Sequence, residues 1–328
     1  MKIKLGTDFS GIGAPEKALE LVGIEYRSMF ACDIDKNAKK SYLANHGTEK
    51  WYDDIRKRDH SKTPYCDLYV AGFPCQAFSV AGKRQGFKDP RGTLFYDLFQ
   101  YIKIQRPKYF ILENVKGLVR HDKGNTFKTI MDCLQELDYT IYHKVLNTKD
   151  YGLPQNRERI FIVGFRDEHN FQWPEPETLM SFQTIENFLD VKVDKKHYLT
   201  KHQINKIKEY NKRHNKKIPF TLKNLITYIK NDVEWIGDVR ADMGLRIRKN
   251  RLSPCLTTSS VPIIKRRKIR RLTPIECLRL QGFRDFKCVV SDSQLYKQAG
   301  NSMSVDVMAL LIWEVLEVDA YLDKKNGW

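Results

Sequence analysis

A cysteine directly after Gly-Phe-Pro is a candidate nucleophile, and this sequence holds one in Gly72-Phe73-Pro74-Cys75-Gln76. Pro74 restricts the approach to Cys75. The residues that follow (Gly82, Lys83, Arg84 and Gly86, then Pro90-Arg91-Gly92) have the make-up of a mobile lid carrying an activated thiol. A free thiol has a pKa of about 8.5, so it needs nearby cations to be ionised at neutral pH. The other six cysteines (32, 66, 133, 255, 277 and 288) are read as small buried hydrophobes. The odd total of seven and the lack of any Cys-x-x-Cys spacing argue against a disulfide framework and a zinc site, and no metal is expected.

Two further groups could act beside that thiol. Glu113-Asn114-Val115 follows an apolar run, where Asn114 could cap a helix beside an incidental acid, or Glu113 could serve acid/base chemistry. Gln155-Asn156-Arg157-Glu158-Arg159 is either a surface cluster of ion pairs or a source of guanidinium donors to a bound base. Near the start, Thr7-Asp8-Phe9-Ser10-Gly11-Ile12-Gly13 has the glycines of a backbone that lets a ligand approach closely, and Asp33 follows Gly13 by twenty residues, a spacing suited to ribose hydroxyls. A third glycine at the dinucleotide spacing is missing, which favours a nucleoside ligand without a pyrophosphate over NAD.

The elements that must carry these groups alternate in type. Strands are predicted at 3–7, 26–31, 68–71, 109–112 and 160–163, and helices from Pro15, over 36–45, over 93–105 and over 125–137. That rhythm predicts an α/β fold, a doubly wound and mostly parallel sheet with helices on both faces, and it places each loop above at the carboxyl end of a strand. Trp173-Pro174-Glu175-Pro176 reads as a linker. Beyond it, to about Thr273, the pattern is irregular, polar and basic, and an apolar helix over 304–321 is expected to pack back on the first domain.

Charge follows the same division. Of a net +17, all the excess lies in three stretches: ten Lys/Arg against Asp194 and Glu209 in 192–217, five against Asp242 in 240–251, and six basic residues out of seven in 265–271. Clustered cations on one segment form the footprint of a polyanion, although a solvated lysine-rich surface would have the same composition. No run of 18 apolar residues is present and the N-terminus has no signal-peptide pattern, so a soluble cytoplasmic protein is expected.

Taken together, these motifs closely resemble the bacterial cytosine-5 DNA methyltransferases, as found in type II restriction-modification systems and in orphan or phage relatives. The resemblance runs over nearly the whole chain in the family's order: 8–13, 33–42, 72–93, Glu113-Asn114-Val115, 155–159, 270–282 and Gln298-Ala299-Gly300-Asn301-Ser302. Pro-Cys-Gln followed by Gly-Phe-x-Asp-x-Arg-Gly is its most specific part. Two positions depart from the pattern: Thr7 stands where an Asp is usual, and Asp33 is one methylene shorter than the common Glu.

The resemblance implies a Rossmann-like methyltransferase domain over 1–176 and 301–328, a target-recognition domain over 177–272, and a hinge over 273–300. The implied donor is S-adenosylmethionine, with S-adenosylhomocysteine as product. Its site would be Phe9, Gly11, Ile12, Gly13, Asp33, Ile34, Asp54, Ile55, Gly72, Pro74, Leu94, Asn301 and Ser302. The implied chemistry has Cys75 add to carbon 6 of a flipped-out cytosine, with Glu113 at the ring nitrogen, Arg159 at the carbonyl oxygen, Asn114 ordering the loop and Arg157 among the catalytic group. Gln76, Ser79 and Arg91 are candidates for the vacated duplex, and Arg246, Arg248, Arg251 and Thr257 for the target sequence. Double-stranded DNA is the implied partner, the chain acting as a monomer and a cognate restriction endonuclease acting separately. An RNA methyltransferase, a silent DNA-binding paralogue and a dehydrogenase are the rival readings. The first is disfavoured by Gly72-Phe73-Pro74, the second by intact Cys75, Glu113 and Arg159, and the third by the missing glycine.

Overall fold

The computed structural model describes residues 2–74, 93–167, 169–176, 183–213, 235–240, 244–248, 252–258, 260–265 and 268–316. β1 (Ile3–Asp8) ends in four buried residues and runs into Gly11 and Gly13, both left-handed. Pro15, with its preset φ, then opens α1 (Ala14–Leu21). β2 (Tyr26–Cys32) leads to α2 (Lys36–Asn45), whose first turn is capped by the Asp35 carboxylate accepting from the N–H groups of Asn37 and Ala38. β3 (Trp51–Tyr52), β4 (Leu68–Ala71), α3 (Thr93–Gln105), β5 (Tyr109–Val115) and α4 (Asn125–Gln135) follow. β6 (Thr140–Asn147), β7 (Gln155–Asn156) and β8 (Glu158–Phe165) complete the first half. Seven of these strands form one sheet in the order β3-β2-β1-β4-β5-β8-β6. The first five are parallel, whereas β8 runs antiparallel to both β5 and β6. Strand order turns back between β1 and β4, and in an open α/β sheet that is where ligands enter.

The second half is more regular than its composition suggests. α5 (Lys201–Arg213) packs on a small antiparallel sheet built from β9 (Trp235–Arg240), β10 (Gly244–Ile247), β12 (Ile263–Lys265) and β13 (Ile269–Arg271) in the order β10-β9-β12-β13. Ile207, Leu245 and Ile263 form its local core, and the Asn211 side chain accepts from Leu245 N at 2.7 Å. This corrects the expectation of an irregular segment. Between β10 and β12, β11 (Ser253–Pro254) leaves that sheet and pairs in parallel with β7.

Three helices end the described chain: α6 (Pro274–Arg279), α7 (Asp292–Asn301) and α8 (Val305–Leu316). Thr273 and Glu276 form a capping box at α6. The Glu276 carboxylate, fully buried, also takes both Nη groups of Arg270 at 2.7 Å. Arg270 is therefore an internal ion-pair partner, which corrects its counting among cations that face phosphate. By length and composition the stretch Asp292–Leu316 would suffice to cross a membrane, but it is mostly buried in the protein and broken at 302–304.

Strand alternation divides the core between the two faces of the large sheet. Leu5, Leu68, Val70, Ile111, Phe161 and Val163 point to the face covered by α1 and α8. Tyr69, Phe110, Leu112, Ile160 and Ile162 point to the face covered by α3 and α4. Leu278, Leu280, Phe283 and Leu295, from the segment expected to be a hinge, share the first of these cores with Ile236 and Leu256 from the basic half.

Candidate active site

A cavity of about 430 Å³ opens at the carboxyl ends of β1, β2, β4 and β5. Its walls are residues 9–12 after β1, 33–35 after β2, 72–74 after β4, 113–115 at the end of β5, then Arg157, Arg159, and 300–303 after α7. Four of these segments, far apart in sequence, meet here because parallel strands end on one edge, and the segment around Arg157 and the end of α7 close the rest.

On one side, Asp33 accepts from Gly11 N and from Asp35 N, each at 2.8 Å, so two backbone donors fix its carboxylate in the wall. Burial pushes its pKa up, opposed by those same hydrogen bonds. Phe9 sits at φ 55° and Ile34 is 68% exposed at the rim. Gly13 is the N-cap of α1 at φ 83°, and a Cβ there would meet the His46 ring at 2.3 Å, so only glycine fits. Like Gly13, three more expected cofactor residues are not among those that line the cavity. Asp54 caps the following 3-10 turn and pairs with Arg56 at 2.8 Å, lining a neighbouring cleft that shares only Ile34 with the cavity. Ile55 is buried in the core with Phe30 and Tyr69, and Leu94 packs against the same cluster.

On the other side, Glu113 Oε1 lies 3.1 Å from Arg159 Nε, both side chains mostly buried. The β5 strand continues through Glu113 and Asn114 rather than stopping before them, and this aims the Glu113 carboxylate into the cavity. Asn114 donates from Nδ2 to Phe73 O at 2.9 Å and accepts from Val115 N, so it holds the backbone two residues before Cys75. Gly72 leaves room for Met303 and Glu113: a Cβ there would approach Met303 Cε at 3.2 Å.

Arg157 bonds mainly to the main chain. Its buried guanidinium donates to Leu256 O at 3.1 Å, Gly300 O at 3.3 Å and Ser302 O at 2.7 Å, and reaches Cys255 Sγ at 3.4 Å. It fastens the 255–256 backbone to the end of α7, and burial with Arg159 alongside holds its pKa below the usual arginine range. The terminal nitrogens are spent on main-chain carbonyls, while the residue, expected in the catalytic group, also lines the cavity. Gly300 supports the same seam, since a Cβ there would lie 2.4 Å from Thr257 C. Thr257 is thus a packing residue against α7, and its hydroxyl accepts from Ser260 N.

Of the expected DNA contacts, Arg246 and Arg248 both pair with Asp238 on the neighbouring strand. The pairing follows from the register that sets Arg246 opposite Asp238, and both arginine side chains stay partly exposed. Cys75, Gln76, Ser79, Arg91 and Arg251 lie outside the described residues. Gly11, Ile12, Pro74, Asn301 and Ser302 line the cavity. Sequence reasoning missed Ser10, whose hydroxyl bridges Thr7 and Cys32, and Lys297, which pairs with Asp35 at 2.6 Å on the rim. It also missed Cys255, a thiol between Arg157 and Arg159. Lys297 and Asp35 carried a signal in their positions beside residues already singled out.

Comparison with known proteins gives this geometry a family. The family described as C-5 cytosine-specific DNA methylase matches residues 7–317. The chain is 41% identical over 329 residues to the type II methyltransferase M1.ScrFI of Lactococcus lactis subsp. cremoris, covering 97% of this chain and 79% of that protein. It is 38% identical to the type II methyltransferase M.HpaII of Haemophilus parainfluenzae, covering 94% and 88%, and 30% identical to the orphan methyltransferase M.SPRI of Bacillus phage SPR, covering 99% of each. In fold it matches the crystal structure of the S. pombe Dnmt2 methyltransferase at a TM-score of 0.73 and 20% identity, over 97% of this chain and 99% of that one. The parallel sheet, the loops at its carboxyl edge and the match over 7–317 make one statement: the chain belongs to the C-5 cytosine-specific DNA methylases and is a DNA cytosine-5-methyltransferase.

Proposed function

We propose that the chain transfers the methyl group of S-adenosylmethionine to carbon 5 of a cytosine flipped out of duplex DNA, through a covalent adduct on Cys75. The observation that carries this reading is the meeting of Glu113 and Arg159 with Phe9 and Asp33 in one cavity, at whose wall Pro74 immediately precedes Cys75. The residues suit the donor. A 430 Å³ cavity is in the range of cofactor sites, Asp33 offers a carboxylate suited to hydroxyl donors, and Phe9 and Ile34 offer apolar surface. Asn301 and Ser302 would close the side opposite residues 72–74. Bound there, S-adenosylmethionine supplies a methyl group made electrophilic by its sulfonium.

The remaining chemistry belongs to this chain. Carbon 5 of cytosine is a poor nucleophile until a thiolate adds at carbon 6, which gives the ring enamine character. Glu113 holds or protonates the ring nitrogen as charge develops, and Arg159, fixed by Glu113 and by Glu158 O at 2.8 Å, binds the carbonyl oxygen. After carbon 5 is methylated, its proton leaves to a base, the carbon–sulfur bond breaks, and Cys75 returns as the thiolate. Asn114 fixes the approach of the loop through Phe73 O. Arg157 acts by seating the 255–257 segment beside the cavity. Flipping costs a few kcal/mol, offset by contacts between phosphates and the exposed cations of the basic half.

The proposed organisation has a catalytic domain over 1–176 and 301–328 and a target-recognition domain over 177–272, linked by 273–300. The chain would act as a monomer in the cytoplasm, protecting a short site within a restriction-modification system. The test is methyl transfer from labelled donor by the purified chain to mixed-sequence duplex DNA and, separately, to tRNA, with sequencing of 5-methylcytosine. Label in DNA at one short sequence is expected. Label in tRNA alone, or in neither, would overturn the reading.

A further inference from the structure

Beneath the cavity lies a buried ion pair for which the chemistry above has no use. Both Nη groups of Arg58 donate to the two carboxylate oxygens of Asp8 at 2.6 Å, and the side chains are 1% and 0% exposed. The Tyr69 hydroxyl donates to the same carboxylate. Three rings surround the guanidinium, those of Phe30, Tyr101 and Tyr52, with centroids at 4.9, 5.2 and 5.4 Å. Such a pair is a poor device for stability alone, since apolar residues of like volume often serve as well.

Its position suggests another use. Asp8 ends β1 and immediately precedes Phe9, which lines the cavity in a left-handed conformation that bulky residues avoid. Such a conformation persists only where the surroundings over-determine it. After Phe9, Ser10 is pinned by its N–H to Cys32 O at 2.9 Å and by its hydroxyl, which accepts from Cys32 N at 2.9 Å. Before Phe9, Thr7 is held through its hydroxyl by Ser10 and Glu16, and the residue next to Phe9 is held by the Asp8 carboxylate. Arg58 in turn follows the Ile55–Lys57 turn and lines the adjoining cleft with Tyr52 and Asp54.

We infer that Asp8, Arg58 and Tyr69 are positioning residues for the methyl donor: together they hold Phe9 in its cavity-facing conformation and tie the 54–58 loop to it, so that the donor meets a preformed wall. This rests on the reading of the cavity as the donor site. A wall ordered in advance lowers the cost of binding, so the pair should act on donor affinity and leave turnover at saturation nearly unchanged.

The test measures binding of S-adenosylhomocysteine to the full chain by calorimetry, together with KM for the donor and kcat. Arg58→Met alone would strand a buried carboxylate, so the informative variants are Tyr69→Phe and the double Asp8→Leu/Arg58→Met, which removes both charges. The double variant should raise Kd and KM by about tenfold or more with kcat within about twofold, and Tyr69→Phe should raise them by about threefold. Arg58→Lys, which lacks the two-pronged fork, should fail to restore affinity. Variants that unfold cooperatively and bind with the wild-type Kd would overturn the inference. Should the double variant not fold, an unchanged Kd in Tyr69→Phe overturns it and a raised one upholds it. A wild-type chain that does not bind the product would overturn the reading of the cavity itself, and this inference with it.

Discussion

Replacing Arg157 separates a structural clamp from a catalytic group. Its guanidinium satisfies Leu256 O, Gly300 O and Ser302 O, and touches Cys255 Sγ. Arg157→Met keeps the bulk of the side chain but strands three buried acceptors, each worth about 1–3 kcal/mol when left unpaired. Burying a cation beside Arg159 is itself unfavourable, and its removal returns part of that loss. The low end of the range is therefore appropriate, and we expect destabilisation of about 3 kcal/mol, near the upper end of ordinary single-site effects. Arg157→Lys keeps the charge, reaches fewer carbonyls, and should recover less than half. Urea denaturation followed by tryptophan fluorescence measures the change. A loss below about 1 kcal/mol with methyl transfer abolished would refute the clamp and return Arg157 to the reacting base.

Gly300→Ala should loosen the same seam, because the new methyl would lie 2.4 Å from Thr257 C and 2.6 Å from Thr257 O. A loss of about 1–3 kcal/mol is expected, and an unchanged urea midpoint would show that 255–257 is not seated on α7. Lys206, Lys208 and Lys212 of α5 are exposed, so changing all three to Gln should flatten the dependence of log affinity on log salt by about 0.9 for each one that meets a phosphate. Slopes equal to wild type would move the footprint elsewhere. Glu16 is buried, and burial pushes its carboxyl pKa up, against the lowering effects of His46 and of the Tyr42 hydroxyl at 2.6 Å. The folded chain thus keeps a proton that the unfolded chain releases. Stability falls as pH rises from the ordinary carboxylate value through the raised one. Glu16→Gln should remove that fall, so its urea midpoint minus that of wild type should rise between pH 5 and pH 8; a difference that falls over that range would contradict the sign.

Much of the fold was legible because burial is periodic. The apolar runs of β1, β2 and β4 and the helix over 93–105 are local patterns, and Pro15 and Asp35 mark helix starts in the sequence itself. β6 was missed because it is the last strand of the sheet, and its Tyr142, His143 and Lys144 are incompletely buried, leaving no clean alternation. The small sheet was missed because its strands are short and its partners distant in sequence. For the same reason Arg246 and Arg248 looked free: Asp238 stands across a strand, where linear spacing does not reach. At the site, residues fixed by their own strand end (Asp33, Glu113, Asn114) were found. For those defined by a long-range partner (Arg157 with Gly300 and Ser302, Asp8 with Arg58), the partner was passed over.

The central claim is that Cys75 attacks a cytosine placed beside Glu113 and Arg159. The most direct measurement incubates the purified chain with S-adenosylmethionine and duplex DNA carrying 5-fluorocytosine at the methylated position, then maps any denaturant-stable adduct by peptide mass spectrometry. Fluorine cannot leave as a proton does, so elimination of the thiolate is blocked and the adduct should accumulate on Cys75, vanishing in Cys75→Ser. An adduct on Cys255, whose thiol lies against Arg157 and Arg159, or no adduct while ordinary cytosine is still methylated, would contradict it.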